Sequence, residues 1–430
     1  MLPTGTSSRA GEEKLNDQIK ARLLSRLAAA LERRVVAREA CEAASTILSA
    51  AMSRLATNDA EIDLLQDAIS DADAMTKSTT AVPVLRPLAG GRGTHSVLSV
   101  LNGEHSLGRG IFSFITMKES NNVRGVCVEF RKAIMDFPWM DDTEIICGSI
   151  KAWRAAFPLA RVVNVSARED LINEDFVHIR GDACVKLHTV IMQGCTGVTD
   201  AAFVHFRGIH TLDMSNCDQE TITDAAFVHL RGIHTLEMDS CDQETITDAA
   251  FVHLRGIHTL NMSECQQETI TDAAFVHLRG IHTLDMSFCI QETITDAAMA
   301  NLHGIHTLNI SHCYQITDAA FVHLHGIHTL DMSLCGQNAI TDAAFVHLHG
   351  IYELDMSGCD QRTITNAAFV NLRGIHTLDM QRCNQVTITG ASFVYLRGIL
   401  NLYLTGCSLA TIDAANSLIP YRGLLPNIEY

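Results

Sequence analysis

The chain is poor in proline and in aromatic residues: 7 Pro and 6% Phe, Trp and Tyr in 430 residues. No proline falls between Leu159 and Ile419, so nothing there forces a break in a helix or a backbone ladder. Positive charge is also short, 32 Lys plus Arg against 49 Asp plus Glu, for a net charge of −17. That balance argues against nucleic acid or an anionic membrane surface as the main partner. No apolar run approaches the ~20 residues of a membrane-spanning helix. The opening Met1–Arg9 lacks the apolar core of a secretory signal. With 14 cysteines and no such signal, reduced thiols and a cytosolic or nuclear location are expected. His-Glu-x-x-His and Gly-x-Ser-x-Gly are both missing, and Gly90-Gly91-Arg92-Gly93 lacks the lysine and helix cap of a phosphate loop. No catalytic residue, metal or cofactor is expected.

What the sequence does have is repetition. Ten cysteines stand in one register from Cys195 to Cys407; seven of the nine intervals are 24 residues and two are 22. In a typical unit Leu260 and Met262 alternate with polar Thr259 and Asn261, the period of a strand with one buried face. Thr247 before Asp248 predicts an N-cap followed by a first-turn carboxylate. Phe251, Leu254 and Ile257 then point inward, and Gly256 suits a helix stop. One unit cannot cover its own apolar face, so stacking predicts an α/β solenoid with parallel strands inside.

The run Leu254-x-x-Ile257-x-x-Leu260-x-Met262-x-x-Cys265, then Ile270-Thr271-Asp272, resembles the leucine-rich-repeat family in its cysteine-containing subclass. The resemblance implies a horseshoe solenoid over residues 146–430. Phe157–Ser166 and Phe176–Cys195 read as two degenerate leading repeats, and the tail to Tyr430 as a partial closing one.

Copied residues need not be functional. A straight row of strand-borne thiols cannot converge on a tetrahedral metal, so the cysteine column is expected to be small buried hydrophobes. The histidine columns, His205 to His347 and His210 to His376, are expected to be scaffold surface. The outward residues of successive strands give an inner face roughly 43 Å long at ~4.8 Å per strand. It carries Asp213, Glu237, Asp239, Asp285, Asp331, Asp355 and Asp379 among outward threonines and serines that include Ser215, Ser287 and Ser311, and ends near Tyr403. With 23 acidic against 8 basic residues between Cys195 and Cys407, a basic segment of a partner protein would be steered there. The residues flanking each cysteine vary while the scaffold is copied. Phe288, Ile290, Tyr314 and Leu334 fall among them and predict an apolar spot on one rim.

Residues 1–92 read as a helical region and linker. Glu12 to Met75 has neither Pro nor Gly, and Cys41, Leu48, Leu55, Ile62 and Ile69 are seven apart. In residues 93–145, Ile111-Phe112-Ser113-Phe114-Ile115, then Val126-Cys127-x-x-Phe130-Arg131, then Trp139, resembles an F-box. That resemblance implies a Skp adaptor of a cullin–RING ubiquitin ligase as partner, met by Leu107, Ile111, Phe112, Phe114, Ile115, Val126 and Phe130. The expected function is then a non-enzymatic substrate receptor whose repeats hold a protein substrate. A stand-alone repeat scaffold without a ubiquitin role is the alternative. The family usually opens with Leu-Pro, where this chain has Gly103-Glu104.

Overall fold

The computed structural model describes residues 117–118, 120, 128–145, 148–180, 186–418 and 427–429. The N-terminal helical region, the linker and most of the F-box-like segment lie outside these residues. The described residues fall into two units: one up to Thr143 together with Ala156–Ala160, the other Glu144–Ala155 together with everything from Arg161 onward.

In the first unit α1 spans Val128–Met135. Trp139 follows it and is fully buried, with its indole N–H donating to the Ile134 carbonyl at 2.9 Å. Phe137 and Phe157 meet the Trp139 ring edge-on, at centroid distances of 4.8 and 6.0 Å. Such a ring with its N–H satisfied is a sound anchor for a small core.

The second unit holds all but the last residue of α2, Ile150–Ala156, and is built on a single open parallel sheet of twelve three-residue strands in chain order. They are β1 Val162–Asn164, β2 Thr189–Ile191, β3 Thr211–Asp213, β4 Thr235–Glu237, β5 Thr259–Asn261 and β6 Thr283–Asp285. The rest are β7 Thr307–Asn309, β8 Thr329–Asp331, β9 Glu353–Asp355, β10 Thr377–Asp379, β11 Asn401–Tyr403 and β12 Asn427–Glu429. β1 and β2 occupy the degenerate leading repeats, and β12 the partial closing one. The regular repeat and the unbroken parallel order make this unit a leucine-rich-repeat-like solenoid.

Most return paths hold a single turn of α-helix, such as Asp248–Phe251, in several repeats continued by a 3₁₀ turn like Val252–Leu254, and in the repeats of Ala368–Leu372 and Gly390–Tyr395 a 3₁₀ helix stands alone. Phe251, Leu254 and Ile257 are buried as the spacing predicts. Gly256 has φ +81°, a left-handed conformation that suits glycine and turns the chain back toward the sheet. The Phe column (Phe203, Phe227, Phe251, Phe275, Phe321, Phe345, Phe369 and Phe393, with Met299 between Phe275 and Phe321) is fully buried and runs the length of the core.

The Thr-Asp pair joins neighbouring repeats as well as capping a helix. Thr271 accepts a hydrogen bond from the Ala273 N–H at 3.1 Å, as an N-cap should. Its own N–H and hydroxyl both donate to the Asp248 carboxylate of the preceding repeat, each at 2.8 Å. Asp272 holds Thr295 in the same way, at 2.7 Å for both bonds. Near the ends asparagine replaces the aspartate: Asn366 accepts from the Thr389 N–H and donates to its hydroxyl, both at 2.8 Å. Asp272→Ala should therefore cost about 2 kcal/mol, since it removes two charge-assisted bonds from a half-buried site. Asp272→Asn, which copies the Asn366 clamp, should stay within about 1 kcal/mol of wild type. Denaturant titration distinguishes them; equal losses for the two variants would show that the clamp contributes nothing.

Candidate functional site

The sheet register sets the predicted inner-face residues in one row. Asp213 pairs with Glu237, then Asn261, Asp285, Asn309, Asp331, Asp355, Asp379 and Tyr403 along successive strands. All are half-buried, each between a buried leucine and a buried Met, Ile or Leu that point the other way. Asp239 lies two residues beyond Glu237, where it accepts a short hydrogen bond from the Ser215 hydroxyl.

These carboxylates also shape the turn that follows each strand. The Ser333 and Ser357 N–H groups donate to Oδ1 of Asp331 and Asp355, each at 2.8 Å, and Gln381 does the same to Asp379 at 2.8 Å. This corrects one expectation. Ser215, Ser287 and Ser311 do not continue the exposed strip; they are buried, because the strand ends after three residues and the chain turns inward. Burial and neighbouring carboxylates raise the carboxyl groups of Glu237, Asp331 and Asp379 above their usual range. Among the described residues no ion pair joins a basic side chain to this row; Arg168–Asp170 lies outside it.

The variable rim has a defined backbone. The residue before each cysteine turns with positive φ: Asn216, Ser240, Glu264, Phe288, His312, Leu334 and Arg382 at +55 to +58° or +59°, and Gly194, Gly358 and Gly406 in the same place. Phe288 is 39% exposed, Ile290 43%, Tyr314 51% and Leu334 43%, so the predicted apolar spot is open to solvent. The Phe288 ring stacks on His312 at 4.0 Å, and the His312 Nδ1 lies 2.9 Å from the Tyr314 hydroxyl. Leu334 leans over Gly358, where a Cβ would come within 2.5 Å of its Cδ2.

The cysteine column is inert by construction. Each thiol from Cys195 to Cys407 is unpaired to another sulfur, and Cys241 Sγ donates to the Met214 carbonyl of the preceding repeat at 3.1 Å. Burial pushes the thiols of Cys217, Cys265 and Cys335 up to about 12, so thiolate chemistry at neutral pH is suppressed.

Two further columns carry signals that single repeats do not. Gln243, Gln267, Gln291 and Gln361 are buried, and each amide donates to the carbonyl of the cysteine one repeat earlier, at 3.0–3.1 Å. On the opposite edge of the sheet His188, His210, His234, His258, His282, His306, His328, Tyr352 and His376 form one stack of rings with centroids 4.3–4.6 Å apart. Each imidazole Nδ1 meets the next threonine hydroxyl, as His258 meets Thr259 at 3.2 Å. Lone pairs of parallel rings lie in separate planes and do not converge on one ion.

Burial and adjacent imidazolium charge lower the pKa of His210, His234 and His282. Burial, aided by neighbouring basic groups, lowers His205, His229, His253 and His323. The native state therefore binds fewer protons than the unfolded chain just below the ordinary histidine value of about 6.5. Stability should be full above that value and fall as pH drops through it. The raised carboxylates have the opposite sign: below their native pKa the folded state holds the extra protons, which relieves repulsion. The melting temperature should thus be flat from about pH 8 to 7, fall below about 6.5, and fall less steeply near pH 5. Calorimetric melting across that range checks it, and a curve independent of pH would contradict the assignment.

Of the residues expected to meet an adaptor, Leu107, Ile111, Phe112, Phe114, Ile115 and Val126 lie outside the described residues, and Phe130 falls within α1. No helix among the described residues is long and apolar enough to cross a membrane.

No protein-family model and no curated protein matches this sequence. Among solved structures the chain is similar to one in the yeast complex of Rad7 and Elc1, at 14% identity and a TM-score of 0.41, over 62% of this chain and 69% of that one. It is also similar to one in the Drosophila Toll–Spätzle complex, at 13% identity and a TM-score of 0.36, over 60% of this chain and 45% of that one.

Proposed function

We propose that the chain is a non-catalytic protein-binding receptor: its F-box-like segment docks a Skp adaptor of a cullin–RING ubiquitin ligase, and its repeats hold the protein to be modified. The observation that carries this reading is the coexistence of two features on one chain. One is the F-box-like order of residues from Leu107 to Trp139, of which Trp139 is a buried anchor. The other is a long repeat face whose carboxylates have no basic partner among the described residues and whose rim exposes Phe288 and Leu334. A receptor of this kind accelerates transfer by proximity alone, raising the effective concentration of substrate near the transferring enzyme.

The stand-alone scaffold remains a second reading, favoured by one specific feature. The F-box resemblance implies a first helix that would include Gly108 and Gly110, and each would cost about 1 kcal/mol relative to alanine there. Quantitative co-purification from cells separates the two, using tagged full-length chain and its Ile111→Asp and Phe112→Asp variants. A receptor brings down adaptor and cullin, and loses both in the variants while keeping its repeat-bound partner. A partner recovered with no adaptor in wild type selects the scaffold.

A further inference from the structure

We infer that the repeats take a protein segment that combines an apolar anchor with lysine or arginine, the anchor seated on Phe288, His312 and Leu334 and the cations on Asp285, Asp331 and Asp355. This rests on the reading that the repeats bind a protein, and it adds which segment chemistry they select and where.

Three observations support it. The first is backbone conformation. Phe288 and Leu334 both turn at φ +57°, where Gly194, Gly358 and Gly406 stand in other repeats. Bulky L-residues adopt that region at a cost, and polar Asn or Ser adopts it more readily. Two large apolar side chains are thus held in a strained conformation and left in solvent, the combination expected of an anchor site.

The second is packing. The Phe288 ring is held flat against His312, and Leu334 fits over the bare α-carbon of Gly358. The patch is therefore ordered before a partner arrives, which limits the entropy lost on binding. Ile290 and Tyr314 widen it by one residue along the exit loops.

The third is charge. Asp285 and Asp331 precede Phe288 and Leu334 by three residues on β6 and β8, and Asp355 on β9 precedes Gly358, over which Leu334 leans, so the carboxylate row runs beside the apolar strip. None has a basic partner among the described residues. A cation brought by the ligand would meet like-charged carboxylates already oriented by the turn N–H groups. An extended segment crossing from the sheet face to the rim presents side chains at the right separation for both.

The test uses the full chain and a pool of random twelve-residue peptides, selected by affinity against wild type. The comparison variant is Phe288→Gly with Leu334→Gly, which removes both anchors while giving the backbone the residue it favours, so its melting temperature should be no lower. Selected peptides should pair an aromatic or aliphatic residue with Lys or Arg within a few positions. Their affinity should fall at least tenfold in the double variant, and again in Asp331→Asn with Asp355→Asn, with a marked weakening from 50 to 300 mM salt. No enrichment, enrichment of acidic or uncharged peptides, or equal binding to the glycine variant would each overturn the inference. If co-purification recovers a partner that binds the glycine variant as tightly as wild type, the receptor reading stands and this one fails.

Discussion

Replacing Phe275 by alanine is expected to cost about 3–5 kcal/mol, the range for deleting a fully buried ring where the surroundings collapse only in part. Phe275 is fully buried, one member of the column of rings that links the repeats through the core. In a solenoid each repeat is stabilised mainly by its two neighbours, so the loss falls on the interfaces to the repeats on either side. Hydrogen exchange should show the strands β5, β6 and β7 losing protection well before the ends of the array. Phe275→Met is the matched control, because Met299 already fills the equivalent place one repeat later and is fully buried there. It should cost less than about 1.5 kcal/mol. Equal losses for the two variants, or a uniform loss of protection, would contradict the nearest-neighbour picture.

Gly197→Ala is expected to have the second largest effect, about 2–3 kcal/mol, confined to the first repeats. A Cβ at Gly197 would lie 2.2 Å from the Leu171 carbonyl oxygen. That neighbour is backbone, so relief requires moving the chain of the adjacent repeat rather than a side-chain tip. Gly197 stands in one of the two shortened intervals, between Cys195 and Cys217, where the link from cysteine to the Thr-Asp pair has lost two residues. The shorter path brings the loop against its neighbour. Thermal melting with exchange measured over residues 162–215 checks this; a wild-type melting temperature would show that the loops part easily.

How much of this was legible in the sequence depends on whether the signal is local. The N-cap at Thr247, the buried face of Phe251, Leu254 and Ile257, and the positive φ at Gly256 all follow from residues within one unit, and all stand as read. The alternation reading ran too far at Ser215, Ser287 and Ser311, because a period of two does not say where a strand stops. Contacts between repeats were out of reach. The Asp248–Thr271 clamp joins residues 23 apart, and nothing in either residue's own neighbourhood marks the bond. Nothing local marks the glutamines as buried, since polar residues near a turn are normally exposed; only the facing cysteine carbonyl explains Gln243. The histidine register was visible, but the stacking of its rings depends on the strand spacing that the sheet imposes.

The candidate surface divides in the same way. Comparing repeats within the chain located Phe288, Ile290, Tyr314 and Leu334 on a rim, since these vary where the scaffold does not. Their left-handed backbone at Phe288 and Leu334 was invisible, since no local rule places such residues there. The acidic row was legible from net charge and period. Its second task, accepting turn N–H groups, appears only with the geometry.

The receptor role we propose requires the chain to bind a Skp adaptor. Calorimetric titration of the full-length chain with a purified adaptor measures this, with Ile111→Asp and Phe112→Asp as controls. Binding at micromolar Kd or tighter is expected, lost in both controls while their melting temperatures hold. A correctly folded wild-type chain that gives no heat of binding would contradict it, and would leave the repeats as a protein-binding scaffold with no link to ubiquitin.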